Sequence, residues 1–320
     1  MNQKINLLVT GGCGFIGSNF INYIFKKNKY NIFNFDAMYY CANENNIEES
    51  IRNSDNYTLI KGNLCSEDLV NHVLNTHNIH QVVHFAAQSH VQKSFSDSLQ
   101  YTKDNILGTH ILLECCRKYK KITKFIHVST DEVYGESMID VNEKHKTEHS
   151  ILCPTNPYAA TKAGAELIAQ SYNHSFKMPI IITRGNNVYG PNQYPEKLIP
   201  RFIKLLKENK KVTIQGEGTA IRAFLHAYDT ASAFEYILEK GKIGEIYNIG
   251  CDEGMEFSVM EVAKILINLI KNTEDYDEWI EYVEDRPFND QRYYISNQKL
   301  KDLGWTITID FLDGLKKLLV

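Results

Sequence analysis

The chain has 320 residues, of which 43% are hydrophobic and 23% are charged, and its formal net charge is −4 at pH 7. This composition can fill a complete core and indicates one large domain or two coupled domains. The mild acidity and the absence of any run near the roughly 18 apolar residues of a membrane span lead us to expect no nucleic-acid partner, no membrane and a cytoplasmic location. The seven cysteines lack Cys-x-x-Cys spacing, so we expect free thiols and no metal site.

Short apolar runs alternate with amphipathic segments along the first half of the chain. The predicted strands are 7–9, 32–35, 57–60, 82–85, 125–128 and 180–183. The predicted helices between them are 15–26, 66–74, 104–119 and 157–176, where apolar residues recur every three or four positions. This alternation is typical of an α/β fold with a doubly wound parallel sheet.

The order of predicted strands and helices changes after residue 184. The predicted elements become helices at 197–208, 229–239 and 258–271 and strands at 212–214 and 246–249, followed by a polar, acidic loop at 272–278. We therefore predict one domain over residues 1–184 and a second, smaller α/β domain over residues 185–320. Elements at about 224–250 are compatible with a return to the first domain.

A glycine-rich segment, Gly11 to Gly17, follows the first predicted strand and opens the first predicted helix. Glycines at such a turn let a pyrophosphate approach the backbone at the positive end of the helix. Asp36 ends the next predicted strand, where a carboxylate can bind an adenosine ribose and repel a 2′-phosphate. A glycine-rich turn without a ligand is the alternative, but the strand, the helix and the acid together predict NAD as the cofactor.

Tyr158 and Lys162 are one helical turn apart in the predicted helix 157–176, so both side chains lie on one face. A nearby ammonium group favours the phenolate form of tyrosine, which predicts a base that takes a proton while a hydride leaves. The same spacing also occurs on ordinary helix surfaces. The glycine-rich loop and the strand end at Ser129-Thr130 favour the functional interpretation.

Two adjacent carboxyl groups, Asp131 and Glu132, follow Thr130 at the end of a predicted parallel strand. Ligands bind at the carboxyl ends of such strands, although a solvated pair in a loop is the usual fate of adjacent acids. One carboxyl group can serve as acid and its neighbour as base if their surroundings separate their pKa values.

These motifs, together with the segments 84–91, 184–191, 195–200 and 285–293, resemble the extended short-chain dehydrogenases/reductases. Within that superfamily the chain is most similar to nucleoside-diphosphate-glucose 4,6-dehydratases. Related 4-epimerases keep the glycine loop and the Tyr/Lys pair but generally lack the Asp-Glu pair. The dehydratase interpretation therefore depends on Asp131 and Glu132.

The resemblance implies a Rossmann domain, a substrate domain and a set of roles for the residues of the site. Tyr158 would act as the base at C4 of the glucose with Thr130 on the same oxygen, Glu132 would remove the C5 proton, and Asp131 would protonate the departing C6 hydroxyl. The product would be a 4-keto-6-deoxy sugar, with NAD regenerated. The implied cofactor contacts are Gly11, Gly14, Phe15, Ile16, Gly17, Asp36, Asn63, Leu64, Phe85, Ala86, Ala87, Ser129, Tyr158 and Lys162.

The implied substrate contacts lie mainly in the second half of the chain. They are Ser89, Asn187, Glu196, Lys197, Leu198, Arg222, Arg286 and Asn289. Arg222 and Arg286 would clamp the diphosphate, which suits a planar guanidinium group, although a surface ion pair is the alternative for each. Asn63 stands where the family usually has aspartate, so we expect modestly altered cofactor binding.

Segments 84–88, 183–193 and 286–293 are similar to the dehydratase domain of plant-type UDP-rhamnose synthases, which favours UDP-glucose as the substrate. The alternative is deoxythymidine-diphosphate-glucose (dTDP-glucose), and more remote alternatives are a nucleotide-sugar 4-epimerase and a non-catalytic NAD-binding protein. The resemblance also implies a homodimer built on helices 104–119 and 157–176. Since the sequence ends at Val320, we expect a separate epimerase/reductase to complete UDP-rhamnose synthesis.

Overall fold

The described part of the chain, residues 4–137, 145–284 and 290–320 of a computed structural model, alternates strands and helices. Its strands are β1 (Ile5–Thr10), β2 (Tyr30–Asp36), β3 (Tyr57–Lys61), β4 (Gln81–His84), β5 (Lys124–Thr130), β6 (Ile180–Gly185), β7 (Asn187–Tyr189), β8 (Val212–Gln215), β9 (Ile221–His226), β10 (Ile246–Ile249), β11 (Glu256–Ser258) and β12 (Ile280–Val283). Its α-helices are α1 (Phe15–Phe25), α2 (Glu49–Arg52), α3 (Glu67–Thr76), α4 (Val91–Ser96), α5 (Ser98–Tyr101), α6 (Gly108–Tyr119), α7 (Pro157–Phe176), α8 (Leu198–Lys207), α9 (Ala227–Lys240), α10 (Val259–Lys271), α11 (Gln298–Lys301) and α12 (Phe311–Leu319).

Seven strands form one parallel sheet in the order β3-β2-β1-β4-β5-β6-β10. Side chains of a strand alternate between the two faces, and both faces of this sheet are covered. In β1, for example, Leu7 and Val9 point into one core and Leu8 points into the other. This double burial explains the continuous apolar runs in the sequence, and the predicted doubly wound sheet is confirmed.

Helices α1 and α9 pack against each other on one face of the sheet, and α3, α6 and α7 form a contiguous layer. Phe20 of α1 contacts Phe85 and Phe234, with ring centroids 5.3 and 5.9 Å apart. β10 pairs with β6 in the large sheet. Residues 227–249 therefore belong to the same layers as the glycine-rich segment.

A smaller second region contains a three-stranded sheet, β11-β9-β7, and a two-stranded sheet, β12-β8. Together with α8, α10 and α12 it encloses a third core. The sequence predicted β8, α8 and α10, but it did not predict β7, β9, β11 or β12. These strands have three to six residues and pair with distant segments.

The helix predicted at 104–119 differs from the observed one at its start. Residues Thr102–Leu107 form a π-helical segment, and α6 begins at Gly108. Asn105 lies in this wider turn, where its amide nitrogen donates to Gln88 O at 3.0 Å and to Thr161 Oγ1 at 2.9 Å. These bonds tie the segment to the loop after β4 and to α7.

Candidate active site

The strand order reverses between β1 and β4, and a cleft opens at the carboxyl ends of these strands. The cleft has a volume of about 330 Å³. Every cofactor contact implied by the sequence lines it, as do Thr130, Asp131 and Glu132. Residues far apart in sequence meet here because parallel strands end at the same edge of the sheet.

The glycine-rich segment forms a cradle that side chains would fill. Gly11 has a φ of +71°, and a Cβ there would lie 2.7 Å from the Ala86 backbone. A Cβ on Gly17 would lie 2.4 Å from the Gly11 carbonyl oxygen. The backbone therefore passes close to the first turn of α1 and leaves room for a pyrophosphate at that helix end.

Asp36 ends β2 as predicted and faces the cradle. Its carboxylate accepts hydrogen bonds from the backbone nitrogens of Cys13 at 2.9 Å and Met38 at 2.8 Å. Burial raises the pKa of Asp36, while these two bonds act against that rise. Asn63 uses its oxygen to accept from the Cys65 nitrogen at 2.8 Å. The cradle and the fixed carboxylate fit a dinucleotide such as NAD.

Thr130 ends β5, and the next four residues, which include both acids, form a 3₁₀ turn. Asp131 is buried, with 2% of its surface exposed, whereas Glu132 is partly exposed. Thr130 Oγ1 donates to Asp131 Oδ1 at 3.2 Å. The predicted pair is therefore inside the cleft and is not a solvated loop pair.

Both carboxyl groups are harder to ionise here than in water. Burial and, secondly, the charge of Glu132 raise the pKa of Asp131 to about 7. Burial also raises the pKa of Glu132, while a hydrogen bond from Asn156 and the charges of Arg222 and Lys197 act against that rise. Asp131 is thus suited to carry a proton near neutral pH. At Glu132 a hydrogen-bond donor and two cations favour the ionised form and so oppose the effect of burial.

Tyr158 and Lys162 lie on one face of α7, as predicted, and both are buried. Lys162 Nζ donates to Val128 O at 2.6 Å, and burial lowers the pKa of Lys162 to about 8. The pKa of Tyr158 is raised, first by burial and then by the Glu132 charge, while a hydrogen bond with Thr130 lowers it. The pKa of Tyr158 is therefore raised and not lowered as expected, because desolvation dominates.

Two asparagines that the sequence analysis missed hold the two acids. Asn186 Nδ2 donates to Asp131 Oδ2 at 2.7 Å, and Asn156 Nδ2 donates to Glu132 Oε2 at 2.9 Å. The local sequence marks the position of each asparagine at the end of an element but not its partner. Asn156 precedes Pro157 at a predicted helix start, and Asn186 directly follows β6 at the carboxyl edge of the sheet.

The predicted substrate contacts divide into three groups. Ser89, Asn187, Glu196 and Lys197 line the cleft. Leu198 and Arg222 do not line it: Leu198 packs against the third core, and the Arg222 guanidinium donates to Asp290 O at 2.8 Å. Arg286 and Asn289 lie outside the described residues, so their roles stay predictions.

The side of the cleft that faces the second region already contains polar contacts. Tyr40 Oη donates to Glu196 Oε1 at 2.9 Å, and Lys197 Nζ donates to Ser89 O at 3.3 Å. These bonds join segments on opposite sides of the cleft. A ligand that bound to Glu196 or Lys197 would compete with them.

The family model described as GDP-mannose 4,6 dehydratase matches residues 8–318. The chain belongs to this family. The predicted membership of the nucleotide-sugar 4,6-dehydratases and the predicted Rossmann fold are thereby confirmed.

Some relatives of this chain are named for UDP-glucose and others for dTDP-glucose. It is 48% identical over 313 residues to a trifunctional UDP-glucose 4,6-dehydratase/UDP-4-keto-6-deoxy-D-glucose 3,5-epimerase/UDP-4-keto-L-rhamnose-reductase of Arabidopsis thaliana, across 98% of this chain and 46% of that protein. It is 46% identical over 315 residues to the dTDP-D-glucose 4,6-dehydratase of Homo sapiens, across 97% of this chain and 88% of that protein. The chain thus spans about half the length of the plant relative.

A solved structure supports the fold and the cofactor. The dTDP-glucose 4,6-dehydratase of Bacillus anthracis in complex with NAD aligns with a TM-score of 0.89 at 39% identity, across 98% of this chain and 95% of that one. That neighbour contains the predicted cofactor. Among the described residues, no helix combines the length and apolarity needed to cross a membrane.

Proposed function

We propose that the chain is a UDP-glucose 4,6-dehydratase that uses NAD and forms UDP-4-keto-6-deoxyglucose. The observation that carries the reaction is the pairing of Asp131 and Glu132 at the end of β5, in one cleft with Tyr158 and Lys162. An epimerase needs the base on α7 but has no use for an acid and a base beside it. The similarity to the plant enzyme supports UDP-glucose, and dTDP-glucose is the second candidate.

The residues of the chain would divide the reaction among them. NAD held in the glycine cradle would supply the acceptor for the C4 hydride and the hydride that is returned to C6. Tyr158 takes the proton of the C4 hydroxyl, with Thr130 beside it. The resulting ketone acidifies C5, so that Glu132 removes that proton while Asp131 gives a proton to the leaving C6 hydroxyl, and water departs. A proton is finally returned to C5.

The environments of the two acids support this division of roles. An acid must be protonated when it acts, and Asp131 has a pKa raised to about 7 in a buried position. A base must be ionised, and Glu132 receives the Asn156 hydrogen bond and the field of two cations. Neighbouring carboxyl groups with unlike surroundings are the usual arrangement for acid and base work.

We also propose that the protein forms a homodimer through the helical layer of α6 and α7. Leu107, just before α6, and Leu167 on α7 leave 47% and 56% of their surfaces exposed. Phe176 at the end of α7 is also exposed, at 50%. Contact between two such layers would remove this apolar area from water. Sedimentation that showed only monomers at micromolar concentration would contradict the dimer.

The first test is turnover of UDP-glucose and dTDP-glucose side by side in heavy water, with mass spectrometry of the products. We expect loss of one water, gain of one deuterium at C5 and faster turnover of UDP-glucose. Faster turnover of dTDP-glucose would leave the chemistry intact and contradict the substrate. Conversion of UDP-glucose to UDP-galactose without loss of water would show an epimerase instead.

A further inference from the structure

Asn156 connects the proposed base to the helix that carries Tyr158 and Lys162. Its Nδ2 donates to Glu132 Oε2 at 2.9 Å, and its Oδ1 accepts from the backbone nitrogen of Ala159, also at 2.9 Å. The second bond is the N-cap of α7. One buried amide, 4% exposed, therefore serves the helix and the carboxylate at once.

The orientation of this amide is fixed by the chain itself. A backbone N–H of Ala159 can only be met by the amide oxygen, so the nitrogen must face Glu132. Pro157 restricts Asn156 to extended backbone, and its observed φ and ψ of −134° and 160° agree. The Asn156 carbonyl oxygen also accepts the first helical bond, from Ala160 at 2.9 Å. The direction of the Nδ2 donor is thus fixed by contacts within the protein.

We propose that Asn156 is a positioning residue that holds the Glu132 carboxylate ionised and aimed for removal of the C5 proton. The inference rests on the proposed function, because it assigns Asn156 to that reaction. An amide N–H can donate to a carboxylate, and this bond favours the charged form of the acid. A serine could cap the helix equally well but could not reach the same carboxylate with a fixed N–H.

Several charged or titratable groups face Glu132 in addition to the uncharged Asn156 amide. They are Asp131 on the same turn, Tyr158 on α7, Lys197 before α8, Arg222 on β9, and Asp290 and Tyr293 in the C-terminal segment. The anions favour the protonated form of Glu132 and the cations favour the carboxylate. All of them stay in place when only residue 156 is changed, so a shift in the pH profile reports on Asn156.

The experiment compares wild type with Asn156→Ser and Asn156→Asp. Both variants keep an oxygen that can cap α7. Asn156→Ser lacks the amide donor, and Asn156→Asp adds a negative charge beside Glu132. A matched control is Ser258→Ala, which removes the side-chain cap of α10, an exposed helix start in the second region. Thermal unfolding of all four proteins reports on the loss of stability alone.

We expect a slower C5 step in Asn156→Ser by about 10- to 100-fold, with an unchanged KM and a transient build-up of reduced nicotinamide. The acid limb of the kcat profile should move to higher pH in Asn156→Ser and further in Asn156→Asp, because the carboxylate becomes harder to ionise. Ser258→Ala should keep the wild-type profile.

Different results would contradict the role of Asn156 and the proposed dehydratase function. A wild-type acid limb and a wild-type rate of C5 deuterium incorporation in Asn156→Ser would overturn the inference alone, as would equal shifts in Asn156→Ser and Ser258→Ala. A wild-type protein that removed no water from either nucleotide sugar would overturn the proposed function, and the inference with it.

Discussion

Asn186 donates from its side-chain nitrogen to Oδ2 of the buried Asp131 over 2.7 Å. The amide oxygen of Asn186 accepts from the Cys251 backbone nitrogen at 3.0 Å, which fixes the direction of the donor. The Asn186 backbone nitrogen donates to Ile249 O at 3.0 Å. The proposed acid is therefore held from the β6 and β10 side of the sheet, while the proposed base is held from α7.

Removal of this donor should weaken catalysis and shift its pH dependence. In Asn186→Ala, Asp131 loses a bond that lowers its pKa, so the basic limb of the kcat profile should move to higher pH than in wild type. We expect about a 10-fold lower kcat and a loss of roughly 1–3 kcal/mol in the free energy of unfolding. Asn173→Ala, which breaks a bond to Met178 O outside the cleft, is the control. An unmoved basic limb would contradict the assignment.

Replacement of Asp131 by asparagine should lower the rate of dehydration and raise the free energy of unfolding. The folded pKa of Asp131, about 7, lies above its ordinary value of 3.8, so the folded chain binds this proton more tightly than the unfolded chain. Wild type therefore loses stability as the pH rises from about 4 to about 7. Asp131→Asn has no proton to lose, and above that window it should be more stable by roughly 2–4 kcal/mol.

Denaturant unfolding of wild type and Asp131→Asn at low and high pH measures this difference. Water loss in the variant should fall at least about 100-fold, because an amide cannot protonate the leaving hydroxyl. Equal stability of the two proteins at alkaline pH would show that Asp131 is ionised without penalty.

Variants of Lys162 on α7 and of Glu132 in the turn after β5 should distinguish oxidation at C4 from dehydration. Lys162→Met should suppress oxidation at C4 by about 10²- to 10⁴-fold, so that reduced nicotinamide never builds up. Glu132→Gln should leave that oxidation detectable and block dehydration. Rapid mixing with absorbance detection compares them. Full product formation by Glu132→Gln would remove Glu132 from the mechanism.

The cofactor cradle should tolerate no side chain at Gly17. In Gly17→Ala the new Cβ would meet the Gly11 carbonyl oxygen at 2.4 Å and the Gly12 Cα at 2.8 Å, and backbone atoms cannot move aside cheaply. We expect loss of NAD binding, measured by titration of the purified protein. Gly108→Ala is the matched control, since its nearest contact is 3.4 Å and alanine favours the helix by up to about 1 kcal/mol. Equal NAD affinity in both variants would contradict the cradle.

The sequence by itself determined the sheet, the glycine cradle, Asp36, the acid pair and the Tyr158/Lys162 face. These features have short-range signals, namely apolar runs of strand length, glycines at a turn and residues one helical turn apart. Helix α7 was predicted with both ends in place, and Asn156-Pro157 is a strong local start. Strand ends of a parallel sheet meet at one edge, so local motifs also predicted a common site.

Only the tertiary structure decided which partner each acid receives. Asn156 and Asn186 reach Glu132 and Asp131 across 24 and 55 residues of sequence, and no local pattern encodes such a contact. The same holds for the short strands β7, β9, β11 and β12, which exist through pairing with distant segments. The pKa of Tyr158 rises against the sequence expectation because burial, a property of the whole fold, dominates its ionisation.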